Sequence, residues 1–149
     1  DNFKYFTNPK NIKIFAFNIE TLPWPLALHL VDMDLSPAEI EWGIKNYRGQ
    51  GGSVGSFFDS IKYDFGKLNE KETKLGNNTY NLKNLRKYGG ICGDQAHFAS
   101  RLAKILGVPA MKVGGTNRAG TSHAWLGFLV KRNAKDTEAS FALSKTSGY

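Results

Sequence analysis

The chain has 149 residues, 41% hydrophobic and 13% aromatic, which suits one domain with one core and is too apolar for a disordered chain. Its formal charge of +7 favours acidic partners, yet the basic residues are spread out, with small clusters only at KNLRK and KRNAK. Nucleic-acid binding, which wants a tight basic stripe or a known motif, is not expected. No apolar run approaches the roughly 20 residues of a membrane span, and a single cysteine, Cys92, excludes an intramolecular disulfide.

The elements follow in chain order. Residues 1–20 are aromatic and extended in character (FKYF, IKIFAFNI) and predict one or two strands. Residues 21–35 mix proline, leucine and Trp24 and read as a buried connection. SPAEIEWGIKNY begins a helix: Ser36 caps it, Pro37 suits its first turn, and Glu39 completes a capping box. RGQGGSVG breaks that helix. Ser53 then opens a second, with Val54, Phe57, Phe58, Ile61 and Phe65 on one stripe. GKLNEKETKLGNN reads as a surface loop, and YNLKNLRKY as a short helix ending at Gly89-Gly90. A central helix runs from about Cys92 to Leu106, with Ala96, Ala99, Leu102, Ala103 and Leu106 on one face; Gly107 ends it and Pro109 prevents continuation. Three strand-like runs follow: PAMKVGG, SHAWLGFLV and EASFALS. Helices followed by strands indicate an α+β fold rather than alternating α/β. No repeat or linker divides the chain, so residues 1–149 are expected to form a single domain, with 1–50 as an N-terminal elaboration. The chain starts at Asp1 without a methionine and with nothing like a signal peptide, which leaves the compartment open and allows it to be part of a longer protein.

Several motifs fail on spacing. RGQGGSVGS lacks the glycine and Gly-Lys-Ser/Thr positions of a phosphate loop, and GGTNRAGT carries Thr121 where the lysine is needed. DMDLS begins like a calcium loop, but Pro37 takes the turn-glycine position and Gly43 the final glutamate. His29, Cys92, His97 and His123 show no zinc spacing. NNT at 77–79 is a glycosylation sequon only in a secretory setting.

The surviving feature is YGGICGDQAHF. Cys92 stands at a predicted helix N-terminus, where exposed N–H groups and the helix dipole favour an anion, the usual device for making a cysteine nucleophilic. Gly90 and Gly93 would leave room for a substrate backbone, and the N–H of Cys92 is a candidate oxyanion donor. A base is also needed. His97 lies five residues on, about 140° around the helix from Cys92, and reads as structural. His123 opens a strand after a glycine-rich loop and is the better base. Asp94 in the first turn reads as a cap, and Phe98 and Trp125 as core residues beneath the site.

GGICGDQAHFASRLAKILGVPAMKVGG followed by SHAW resembles the core of the transglutaminase-like superfamily of papain-like cysteine enzymes: Gly90 and Cys92 at a helix start, an alanine-rich helix, Leu106 to Ala110, a strand, then His123-Ala124-Trp125. VGSFFDSIKYDF resembles the upstream helix and Tyr-Asp element. The resemblance covers residues 53–130. It implies a papain-like α+β core, its central helix starting at the cysteine and packed on an antiparallel sheet, with Cys92 as nucleophile and His123 as general base. The family's third residue, an aspartate on the following strand in a Trp-x-x-x-Asp-Pro pattern, has no such pattern here. Asp136 is the nearest acid by position; Asn133, Glu138, a residue beyond Tyr149, or no third group are the alternatives. Gln50 and Tyr63 are the upstream candidates for oxyanion binding. The implied chemistry is acyl transfer on a peptide or carboxamide through a thioester, resolved by an amine or by water, with no metal or other cofactor. Among bacterial relatives a peptidase is as compatible as a cross-linking enzyme. The rivals are a catalytically inactive module of the same fold that binds a peptide or partner, and a basic binding domain for acidic polymers.

Overall fold

The computed structural model describes residues 2–70, 72–116, 118, 120–131 and 139–144. The central element is helix α7, Cys92–Ile105, and most of the fold is arranged to bury it. Ala96, Ala99, Leu102, Ala103 and Leu106 are fully buried, as the 3.6-residue spacing predicts. The alanines let neighbouring backbone come close. One side of α7 packs on a three-stranded antiparallel sheet, β1 (Ala110–Thr116), β2 (Ser122–Lys131) and β3 (Ala139–Leu143), in the order β1-β2-β3. The register pairs Lys112 with Leu126 and Gly115 with His123. Directly paired residues share a face, so Ala110, Ala124 and Leu126, all buried, form the apolar surface beneath α7. The fold is α+β, as the order of elements predicts.

Residues 1–20 correct the sequence reading. The described residues among them, 2–20, form no strand but two short helices, α1 (Asn2–Thr7) and α2 (Pro9–Ile12), and a 3₁₀ turn that begins at Ile19 and ends at Thr21. Asn8 and Asn18 cap the later two with their side-chain oxygens, and Pro9 pre-sets a helical φ. The aromatics serve packing rather than a ladder: Tyr5, Phe6 and Phe15 form a ring cluster with centroids 5.1–5.7 Å apart. That cluster closes the C-terminal end of α7. The Tyr5 hydroxyl donates to the Ile105 carbonyl at 2.6 Å, and the Ala16 N–H donates to the Leu106 carbonyl at 2.8 Å. Both satisfy carbonyls that a helix end leaves without partners.

Residues 21–35 contain a second difference, helix α3 (Trp24–Val31), whose Trp24 is 74% exposed. Leu30 anchors it in the core, and Lys104 of α7 pairs with Asp32 at its end. Helix α4 (Pro37–Tyr47) begins with the expected capping box, the Glu39 N–H donating to Ser36 Oγ at 3.3 Å and the Ser36 N–H to Glu39 Oε2 at 3.2 Å. The next predicted helix is two 3₁₀ turns, Gly51–Ser56 and Phe58–Ser60. Val54, Phe57, Phe58 and Ile61 are buried as the stripe predicts, but Phe65 is 65% exposed. Three glycines weaken the helix start, and the chain turns extended beyond Ile61 to meet Gly90. Short helices α5 (Phe65–Asn69) and α6 (Leu82–Tyr88) complete the set. Among the described residues no helix is long and apolar enough to cross a membrane.

Gly107 joins α7 to β1 at φ 70°, in the left-handed region, and a Cβ built there would lie 2.9 Å from Phe15 Cα. Gly107→Ala therefore meets both backbone strain and a steric conflict with the N-terminal closure. It is expected to cost at least about 2 kcal/mol in urea unfolding; a wild-type midpoint would contradict this account of the closure.

Candidate active site

The site is built by bringing the Tyr-Asp element to the start of α7. Helix α6 stops at Gly89, and the chain then pairs with residues 62–64: the Gly90 N–H donates to the Lys62 carbonyl and the Asp64 N–H to the Gly90 carbonyl, both at 3.0 Å. This bridge sets Tyr63 beside the cysteine turn. Asp64 is fully buried and accepts the N–H groups of Lys74 at 2.9 Å and Lys67 at 3.3 Å, capping α5. Those donors, Lys74 first, hold its carboxyl below the ordinary 3.8. Gln95 of α7 secures the preceding segment, its Nε2 donating to the Ile61 carbonyl at 2.8 Å.

Asp94 organises the first turn of α7. Its Oδ2 accepts from the Ile91 N–H at 2.9 Å and from Lys67 Nζ at 2.6 Å, and its Oδ1 accepts from the Tyr80 hydroxyl at 3.0 Å. It is a cap, as its place in the sequence predicts. The proximity also changes the reading of Gly90. A Cβ there would lie 2.8 Å from Asp94 Cγ, so this glycine makes room for the capping carboxylate rather than for substrate. At Gly93 the outward space is open as expected, limited by Lys112 Nζ at 3.4 Å from a built Cβ.

Cys92, half-buried at the first position of α7, and His123, buried at the second position of β2, line one cleft of about 460 Å³. Tyr63, Leu68, Gly93 and Lys112 complete much of its wall. The His123 ring stands edge-to-face against Trp125, centroids 4.7 Å apart, with Phe58 at 6.5 Å on another side. Its Nε2 is shielded from solvent. Burial lowers the His123 pKa from the ordinary 6.5, because the imidazolium is the form that loses hydration. Trp125 is thus half-buried against the histidine rather than in the core beneath it, whereas Phe98 is wholly in the core.

The other predicted residues fall elsewhere. Gln50 does not line this cleft; its Nε2 donates to the Asn46 carbonyl at 3.3 Å, and the neighbouring Gly49, Gly51 and Gly52 border a separate hollow with Phe15 and Phe128. His97 does not line the cleft either: it packs against Tyr80, centroids 5.1 Å apart. Burial, and then the charges of Arg101 and Lys112, lower its pKa. Asp136, Asn133 and Glu138 lie outside the described residues. Among the described residues no cluster of three or more His, Cys, Asp or Glu could hold a metal ion. The sequence reading missed Lys112 and Leu68. For Lys112 there was a signal: it occupies the strand face that carries Ala110, where an apolar residue is the rule.

The matched elements, cysteine at a helix start and histidine on the adjacent antiparallel sheet around one cleft, define a class. The transglutaminase-like superfamily model matches residues 54–136, more than half of the chain, and the chain belongs to that superfamily. No curated protein and no solved structure matches it.

The anchoring of Tyr63 through Asp64 has a pH signature. The folded pKa of Asp64 is lowered, so its contribution to stability is complete above the ordinary value of 3.8 and is lost as pH falls through the lower folded value. Asp64→Asn is expected to reduce the urea midpoint at pH 7, with the gap to wild type closing as pH falls below that range. A gap independent of pH would refute this role for the carboxylate.

Proposed function

We propose that the chain catalyses cysteine-dependent acyl transfer or hydrolysis on peptide or carboxamide bonds. The observation that carries this reading is the shared cleft of Cys92 and His123 in a member of the transglutaminase-like superfamily. Cys92 is the nucleophile and neutral His123 the general base. The Cys92 proton passes to His123 as the sulfur attacks the carbonyl carbon and the C=O electrons move to oxygen. The Asp94 N–H already donates to the Ile91 carbonyl, so the Cys92 and Gly93 N–H groups, which precede the first intrahelical bond, are with the Tyr63 hydroxyl the donors for that oxyanion. Collapse breaks the C–N bond, and the amine leaves with the proton from His123. The remaining thioester is attacked by water or a second amine, which gives its proton to His123 as the S–C bond breaks. Asp136 is the proposed orienter of His123. Residues 1–149 act as one domain on this reading, supported by the N-terminal segment packing on α7, and the substrate is a protein or peptide.

Burial of His123 keeps its imidazole neutral to lower pH than usual, so the acid limb of kcat/KM is expected to have its midpoint below 6.5. Incorporation of a fluorescent primary amine into casein, together with ammonia release, measures both fates of the thioester. Cys92→Ala is expected to abolish both. His123→Ala is expected to lower the rate about 10²–10⁴-fold. Turnover that survives Cys92→Ala would eliminate the mechanism, and total inactivity of folded wild type on casein and on peptide amides would favour the inactive binding module.

A further inference from the structure

Lys112 is the ionic side chain that the structure adds to this cleft. It sits on β1 opposite Leu126, on the face turned to α7, and its ammonium reaches the first helical turn beside Cys92. The acids nearby are already engaged: Asp94 by Lys67, Tyr80 and the Ile91 N–H, Asp64 by two backbone N–H groups. Among the described residues no carboxylate pairs with Lys112, and no acidic side chain lines the cleft. His123 is buried in the same lining, in its neutral form at pH 8. The other walls, with Leu68, Ile91, Ala124 and three glycines, are largely apolar. Lys112 is exposed at the mouth of the cleft, so its charge is partly screened by water, but among the described residues it is the cation beside the cysteine turn and favours a bound anion there.

We propose that Lys112 is a specificity-determining residue that selects acyl donors bearing a carboxylate next to the carbonyl attacked by Cys92. The inference rests on the proposed function for the identity of the reaction, but its test does not need turnover. Iodoacetate and iodoacetamide both alkylate Cys92 by forming an S–C bond, breaking the C–I bond and releasing iodide. They are near-equal in size and differ in charge. Because both consume the same thiolate, the ratio of their rate constants at one pH is independent of how much thiolate is present.

At pH 8 and low salt, the iodoacetate-to-iodoacetamide ratio for Cys92 is expected to exceed that of N-acetylcysteinamide, a thiol without a carboxylate, by about three- to tenfold, as for unit charges roughly 6–8 Å apart in partly screened surroundings. The excess should shrink in 0.5 M KCl. Lys112→Gln should bring the ratio to the small-thiol value, Lys112→Glu should take it below, and Lys112→Arg should restore it. N-chloroacetyl-glutamine and N-chloroacetyl-isoglutamine, isomers with the carboxylate at the chain terminus or on the side chain, tell which source is preferred. Each is compared with the neutral N-chloroacetyl-glutaminamide. A wild-type ratio retained in Lys112→Gln, or neither isomer outpacing the neutral probe, overturns the proposal. If the ratio depends on Lys112 while acyl transfer is absent, the proposed function fails and the anion selection stands. If His123-dependent acyl transfer occurs with an unchanged ratio, only the Lys112 assignment fails. A folded chain whose Cys92 reacts with neither iodo reagent refutes both.

Discussion

A buried helix must find partners for the polar groups at both of its ends, and α7 meets that constraint differently at each. Its C-terminal end is closed by the first sixteen residues, through the Tyr5 hydroxyl, the Ala16 N–H and the aromatic cluster behind them. Its N-terminal end is only partly closed. Asp94 folds back on the Ile91 N–H, and the remainder of the first turn borders the cleft with Cys92. Tyr5, Phe6, Leu30 and Met33 of the N-terminal region belong to the core. The first sixteen residues let one end of the helix be sealed so that the other can remain open.

The open end is held by charges that neutralise one another. Lys67 and Tyr80 both bond Asp94, while the N–H of the same Lys67 bonds Asp64. One short helix, α5, is thus tied to the cysteine turn through its side chain and to the Tyr-Asp element through its backbone. This arrangement leaves Tyr63 and Leu68 on the cleft, and Phe65 exposed with its ring centroid 5.0 Å from that of Tyr63. The His123 ring packs against Trp125 and Phe58, and burial lowers its pKa. Lys112 stands apart from these groups: it is exposed and has no carboxylate partner among the described residues.

Local signals were legible where neighbours in sequence determine structure. The Ser36–Glu39 capping box, the Gly89 stop and the alanine face of α7 rest on contacts within four or five residues. The three strands followed from β-branched and aromatic runs bounded by turns. The aromatic run at the N-terminus misled because strand-like composition reports only a need for burial, and here burial is met by the end of α7. The Val54–Ile61 stripe was right about which residues are buried and wrong about the helix, since glycines and the Gly90 bridge bend the backbone into 3₁₀ turns.

From its sequence alone the chain determined its α+β class and its superfamily, and it singled out Cys92 and His123 as candidates, because those depend on short motifs in a fixed order. Tertiary structure decided what surrounds them. Tyr63 was brought to the cleft and Gln50 was not, because a backbone bridge draws the first in while the amide of the second bonds its own helix end. Gly90 was assigned to a capping carboxylate and Lys112 to the cysteine turn by contacts across roughly four and twenty residues of chain. The Lys112 contact is set by how strand and helix pack, a long-range property that no local spacing carries, whereas the Gly90–Asp94 contact lies within about one helical turn and follows from the cap.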